Sequence, residues 1–265
     1  MAPEPEPHPS PGERGRLHAD TAGAGPRVAL VHGFTQTARC WGPLATDLAA
    51  DHHVASVDAP GHGLSADVRA DLWSSAALVA DVLGRGTLIG YSMGGRIALH
   101  AALAHPEAVE HLVLISATGG IEDPDERRAR READESLARQ IEEVGVETFL
   151  DEWLALPLFA GLATPDLDLE ERLTNTVDGL ASSLRLAGTG TQEPLWDQLG
   201  DLEMPVLVVA GERDRKFVAA AQRLAAGIGP RASLAVVPSA GHSTHREAAA
   251  ATISVIRSWL GEAAG

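Results

Sequence analysis

A single serine stands between glycines in the stretch Leu88-Ile89-Gly90-Tyr91-Ser92-Met93-Gly94-Gly95-Arg96. Gly90 to Gly94 fit G-x-S-x-G, behind an apolar run and ahead of a helical pattern, which is the strand–turn–helix setting that the pattern requires. The turn is so tight that only small residues fit two positions either side of the serine, and it thrusts the hydroxyl out at the helix N-terminus. A serine hydroxyl is inert near neutral pH unless a base takes its proton and an acid orients that base. Asp214 lies in "VVAGERDRKF", directly after the apolar run 205–212, and His242 lies in "VVPSAGHSTHRE", directly after the next such run. Asp201, Glu212 and His245 are nearby substitutes in less suitable places. "VHGF" (31–34) adds the remaining part: backbone N–H groups of Phe34 and Met93 are expected to point at one oxygen and form an oxyanion hole. His32, and His62 in "DAPGHGLS" (58–65), suit structural roles in loops of the same rim. For His52, His53, His100, His105 and His111, solvated or helix-end roles suffice.

These residues need a scaffold that brings three distant loops together. The runs 27–33, 53–59, 86–92, 109–117, 205–212 and 233–240 are continuous in Val, Leu and Ile without alternation, as strands of a parallel sheet covered on both faces are. Helical patterns at 41–50, 68–84, 94–104, 216–227 and 246–261 separate most of them, so the chain predicts a doubly wound, mostly parallel α/β sheet. "RLHADTAGAGP" is at best one edge strand. Residues 121–200 break the rhythm. They open with the charged run "EDPDERRARREADE" and continue with Leu137, Ile141, Val144, Phe149, Trp153 and Leu154 near one helical face. An all-helical insertion between strands predicts a cap over the carboxyl ends of the sheet, where such folds bind ligands. The predicted division is a tail over 1–26, a core over 27–120 and 201–265, and the cap over 121–200.

Composition narrows the partners. With 37 Asp+Glu against 21 Lys+Arg the formal net charge is −16, a surface that repels nucleic acid and anionic membranes. A small anionic substrate is compatible with that balance only through a local cluster of arginines. The lone Cys40 excludes an internal disulfide and suits a small, half-buried side chain. The start, "MAPEPEPHPSPGERGR", has no apolar run that would make a signal peptide or anchor. Its alternating Pro and Glu predict disorder over roughly the first 15 residues. A cytoplasmic location is the default expectation, with no obligate protein partner evident. H-E-x-x-H, paired cysteines and G-x-x-x-x-G-K-[ST] are all absent, so no metal and no nucleotide cofactor is expected; "GAGPRV" and "GTGTQE" lack the dinucleotide-binding context.

From about residue 27 onward the chain resembles the α/β-hydrolase superfamily. Six stretches, "GYSMGGR", "ERRARREADE", "FLDEWLALPLFAGL", "SSLRLAGTGTQEPLW", "GERDRKF" and "AGHSTHRE", resemble one family within it, the pyruvate-eliminating synthases of menaquinone (vitamin K2) biosynthesis. The resemblance implies a helical cap inserted after the sixth strand. It also implies a reaction without cofactor or metal, in which Ser92 of a Ser92–His242–Asp214 triad takes a proton and an enolpyruvyl group leaves as pyruvate. Arg96, four residues after Ser92 and so one helical turn on, Arg130 in "ERRARRE" and Arg172 in "ERLTN" match the family's substrate arginines. Arg127, Arg128 and Arg131 crowd the same run as Arg130 and leave that assignment open by a helical turn. Tyr91, Trp153 and Lys216 match family pocket positions, although Trp153 also suits cap core. Two readings compete with the lyase: a serine hydrolase of an ester or carbon–carbon bond, which is the commoner use of the fold, and a ligand sensor that keeps the fold.

Overall fold

The structure, a computed structural model, describes residues 15–163 and 168–263. The predicted disorder at the chain start falls almost wholly on residues 1–14, outside the described residues.

Among the described residues seven strands form one sheet: β1 (Ala19–Ala22), β2 (Arg27–Val31), β3 (His53–Val57), β4 (Gly86–Tyr91), β5 (Val109–Ile115), β6 (Val206–Gly211) and β7 (Ala232–Val237), in the order β1-β3-β2-β4-β5-β6-β7. The pairing is parallel throughout except at the edge, where β1 runs antiparallel to β3. "RLHADTAGAGP" thus supplies an edge strand. Every residue of β4 and β6 is buried. Their continuous apolar runs follow from that, because alternate side chains enter two different cores. Leu88, Leu114 and Val208 face a core shared with Leu72, Ile97 and Leu224, whereas Ile89, Val113 and Val209 face Trp41, Leu44 and Ile256.

The covering helices are α1 (Pro43–Leu48), α2 (Leu72–Leu83), α3 (Met93–Ala104), then, after the cap, α7 (Arg215–Ile228), α8 (Thr244–Glu247) and α9 (Ala249–Ala263). The helix predicted over 246–261 is therefore two pieces. The backbone leaves the helical region at Ala248 (φ −141, ψ 54), which sets the one-turn α8 apart from α9.

The cap comprises α4 (Pro124–Leu154), α5 (Leu169–Arg172) and α6 (Val177–Ala187). It enters after β5, one strand earlier than the expected sixth, because a single strand precedes β2 among the described residues. The charged run begins α4: Asp123 caps it, accepting from the N–H groups of Asp125 and Glu126, with Pro124 in the first turn. Gly145 (φ 78, ψ 169) kinks the helix, and Val144 beside the kink is 40% exposed, off the predicted apolar face. Ala138, Ile141 and Phe149 of α4 pack on Leu180, Ala181 and Leu184 of α6, with Trp153 and Phe34 alongside. Phe34 belongs to the loop after β2, so the cap's own core rests on a loop of the sheet. After α6, Leu195, Leu199 and Leu202 rejoin the core beneath the sheet.

Candidate active site

Ser92 sits between β4 and α3 with φ 52 and ψ −108, a conformation unusual for a side chain with a Cβ. The glycines around it are obligatory. A Cβ on Gly90 would lie 2.3 Å from the carbonyl oxygen of Gly94, and one on Gly94 would lie 1.9 Å from that of Val31. The elbow thus explains why the pattern carries glycine two positions to each side of the serine.

His242, in the loop after β7, has its Nε2 3.0 Å from Ser92 Oγ and its Nδ1 2.7 Å from Asp214 Oδ2. An ionised carboxylate can only accept, so Nδ1 carries the proton given to Asp214 and Nε2 is left to accept from the Ser92 hydroxyl. The second oxygen of Asp214 caps α7 by accepting from Phe217 N–H at 3.3 Å, which orients the carboxylate towards the imidazole. The substitutes lie elsewhere. Glu212 accepts from Ser239 N–H. His245 is buried between Trp41 and Tyr91, and burial pushes its pKa down to about 3.

Phe34 and Met93 line the cavity into which Ser92 opens. The loop that carries Phe34 is braced by two buried histidines. His32 donates from Nδ1 to Gly33 O at 2.8 Å and accepts from Ala59 N–H at 3.1 Å; His62 contacts Pro60 O at 3.0 Å and accepts from Thr35 N–H at 3.3 Å. Burial lowers them to about 4 and about 3 respectively, so both are neutral at pH 7 and can donate and accept at once. Asn175 of the cap donates to Thr35 O at 2.8 Å. Cys40 is fully rather than half buried and receives Thr37 N–H.

The cavity, about 290 Å³, runs between the sheet's carboxyl ends and the cap. Arg96 lines it and is buried; it donates from Nη2 to Ala187 O at 2.8 Å and from Nη1 to Gly188 O at 3.2 Å. Burial lowers this guanidinium to about 10, with the neighbouring Arg130 acting in the same direction and Asp134 opposing. The charge remains at neutral pH. Of the four crowded arginines, Arg130 is the one lining the cavity, with its Nε on Asp134 Oδ1 at 2.7 Å. Arg127 turns to Ile121 O and Glu193, Arg128 to Asp125, and Arg131 to Gly190 O. Trp153 and Lys216 also line the cavity. The Trp153 ring meets Phe34 edge-on at 5.4 Å and stacks on Phe149 at 5.7 Å, so it serves as both cap core and cavity wall.

Two expected contacts stand apart from the cavity lining. Tyr91 ends β4 on the face of Ile89 and Val209, so its ring enters the opposite core, and its hydroxyl pairs with Ser243 Oγ at 2.6 Å. Arg172 is buried behind the Phe34 loop, where its Nη1 donates to Thr35 Oγ1. Both therefore touch loops that carry the site. The sequence reading missed Thr118, Ser183 and Thr189, which join the lining; Ser183 and Thr189 belong to the family-like stretch "SSLRLAGTGTQEPLW", which was their available signal. Among the described residues, no group of three or more His, Cys, Asp or Glu is placed to hold a metal ion. No described helix is long and apolar enough to cross a membrane.

A sheet with an acid and a histidine in the loops after successive strands, serving a serine on an elbow, defines a class. Residues 28–255 match the family model described as the alpha/beta hydrolase family, and the chain belongs to that family. Its curated relatives narrow this further. A Bacillus subtilis protein, provisionally named 2-succinyl-6-hydroxy-2,4-cyclohexadiene-1-carboxylate synthase, is 35% identical over 90% of this chain and 91% of its own. An Enterobacter protein of the same name is 33% identical over 87% of this chain and 90% of its own. The solved structure of MenH from S. aureus superposes with a TM-score of 0.87 at 29% identity, over 94% of this chain and 99% of that one.

Proposed function

We propose that the cavity binds 2-succinyl-5-enolpyruvyl-6-hydroxy-3-cyclohexene-1-carboxylate and that Ser92, served by His242 and Asp214, starts the loss of pyruvate from it. The protein is a pyruvate-eliminating lyase on an α/β-hydrolase fold, with 2-succinyl-6-hydroxy-2,4-cyclohexadiene-1-carboxylate as its other product. Ser92 Oγ, passing its own proton to His242 Nε2, removes a proton from the carbon next to the succinyl carbonyl. Charge develops on that carbonyl oxygen, where the N–H groups of Phe34 and Met93 stabilise it as they would a tetrahedral oxyanion. The electrons then move through the ring, the carbon–oxygen bond to the enolpyruvyl group breaks, and the proton held by the imidazole is returned as enolpyruvate becomes pyruvate. Nothing is oxidised or reduced and no water is consumed.

The observation that carries this reading is the cationic cavity of an acidic protein. Arg96, Arg130 and Lys216 line the same space as Ser92, and the substrate brings three carboxylates. Arg96 gives one N–H from each terminal nitrogen to a carbonyl group, so its charge and its other donors are left for an anion. An ester hydrolase has no need of three cations around its serine. The partner is thus a small anion, the pathway is menaquinone (vitamin K2) biosynthesis, and a cytoplasmic location accompanies the reading. Pyruvate release from the enolpyruvyl-cyclohexene substrate, followed through a coupled dehydrogenase, tests it. Absence of pyruvate together with turnover of a nitrophenyl ester would replace the lyase by a serine hydrolase, and binding without either turnover would favour a sensor.

A further inference from the structure

The loop carrying His242 is gripped through its backbone. Glu247, the last residue of α8, accepts from Gly241 N–H through Oε2 at 2.7 Å and from Ser243 N–H through Oε1 at 3.0 Å. These are the amides on either side of the histidine. From beneath, Ser116 at the end of β5 donates its hydroxyl to the carbonyl oxygen of His242 at 2.7 Å. On the cap side, Gly161 lies against the same carboxylate so closely that a Cβ there would fall 1.9 Å from Glu247 Oε2.

We propose that Glu247 is a positioning residue, whose carboxylate bridges the amides of Gly241 and Ser243 and so holds the His242 imidazole in line between Asp214 and Ser92. The inference rests on the reading of those three residues as the reacting triad. A carboxylate suits the task because it offers acceptors on both oxygens and donates nothing, and bonds from N–H to an ionised acceptor are about twice as strong as neutral ones. Fixing the peptide on both sides of one residue leaves its side chain little freedom beyond its own rotamer. The Ser92–His242 and His242–Asp214 contacts depend on that fixity, for a displacement of the order of 1 Å can cost about 10²-fold in rate. Glutamine in place of Glu247 keeps one acceptor oxygen but turns an NH₂ donor towards the other amide. Alanine removes both bonds.

The experiment compares the wild type with Glu247→Gln and Glu247→Ala by steady-state pyruvate release, thermal melting, and proton NMR of the imidazole N–H that His242 gives to Asp214. The expected result is a graded fall in kcat, about 10²-fold for Ala and less for Gln, with KM nearly constant. The downfield N–H signal should broaden or shift in both variants while cooperative melting persists. An unchanged kcat with an unmoved N–H signal overturns the proposal, as does a loss confined to KM. If the alanine variant does not fold, the glutamine variant decides by the same readouts. The NMR signal needs no substrate, so a wild type that releases no pyruvate would sink the proposed reaction and leave the role of Glu247 still decidable.

Discussion

Arg96 donates to the carbonyl oxygen of Ala187 at 2.8 Å, tying the helix behind Ser92 to the last turn of α6 in the cap. The carbonyls at a helix C-terminus carry partial negative charge and lack intrahelical partners, so they hold a guanidinium without neutralising it. One side chain thereby positions the cap and offers a net positive charge one turn from the serine. Arg96→Ala should lower kcat/KM by roughly 10²-fold or more, the loss of about 2–3 kcal/mol from charge-assisted bonds to substrate. Arg96→Lys should recover part of it, since lysine keeps the charge and loses the fork. Kinetics of both variants, with circular dichroism to confirm folding, check this; near-normal turnover in the alanine variant would refute it.

Asp134 performs a similar task for Arg130. Its side chain is 2% exposed, and it accepts from Arg130 Nε at 2.7 Å and from Gly190 N–H at 3.0 Å. The carboxylate therefore aims an arginine into the cavity and anchors the loop that follows α6. Asp134→Asn should raise KM several-fold while changing kcat little, because Arg130 loses its anchor but the triad is untouched. It should also cost about 1–3 kcal/mol of stability, less than a fully buried pair because Arg130 is partly exposed. A denaturant titration beside the kinetics measures both, and a fall in kcat at constant KM would contradict the assignment.

The elbow and its partners were legible because their chemistry is local: G-x-S-x-G names its own turn, and Asp214 and His242 follow strands whose apolar runs are unmistakable. Arg130 was only half legible. Four arginines within five positions span more than one helical turn, and only the packing of α4 on α6 decides which one faces inwards. Arg172 and Tyr91 were assigned by resemblance to the cavity itself, whereas tertiary packing sets them behind the loops that form its wall. Tyr91 could have been anticipated. Side chains alternate along β4, so a residue on the Ile89 side points away from α3. Glu247 closes the family-like stretch "AGHSTHRE", but its residue type does not announce its role, because it acts through backbone amides that every residue type possesses. The break at Ala248 was hidden for a similar reason, since alanine favours helix and its type marks no break.

Within the triad the members should behave as a unit. Asp214→Asn preserves the shape but presents a donor to His242 Nδ1, which favours the tautomer unable to accept from Ser92. The expected loss in kcat is about 10³–10⁴-fold. Ser92→Ala and His242→Ala should each be severe, and the double variant should be no worse than the worse single one, since either change removes the same proton path. Single-turnover pyruvate release in the three variants tests this non-additivity. Multiplying losses would mean that Ser92 and His242 act in separate steps.

The buried histidines predict how stability depends on pH. His32 and His62 have an ordinary value of 6.5 when exposed, but burial in the fold lowers them to about 4 and about 3. Between those limits the unfolded chain binds protons that the folded protein refuses, so stability must rise with pH. Their contribution is complete above about 6.5 and drains away as the pH falls towards 4 and then 3. His245, lowered to about 3 by burial, adds to the same trend. Thermal midpoints should therefore drop progressively between pH 7 and pH 5, where the carboxylates lowered by their arginine partners, such as Glu135 at about 2, are still ionised on both sides of unfolding for the most part. In the folded protein the loop with Phe34 should hold until the pH approaches 3, where protonating His62 removes the lone pair that receives Thr35 N–H. Histidine ring titrations followed by NMR would assign the effect: the signals of His32 and His62 should stay in their neutral form through pH 5, and a midpoint near 6.5 for either would contradict the account.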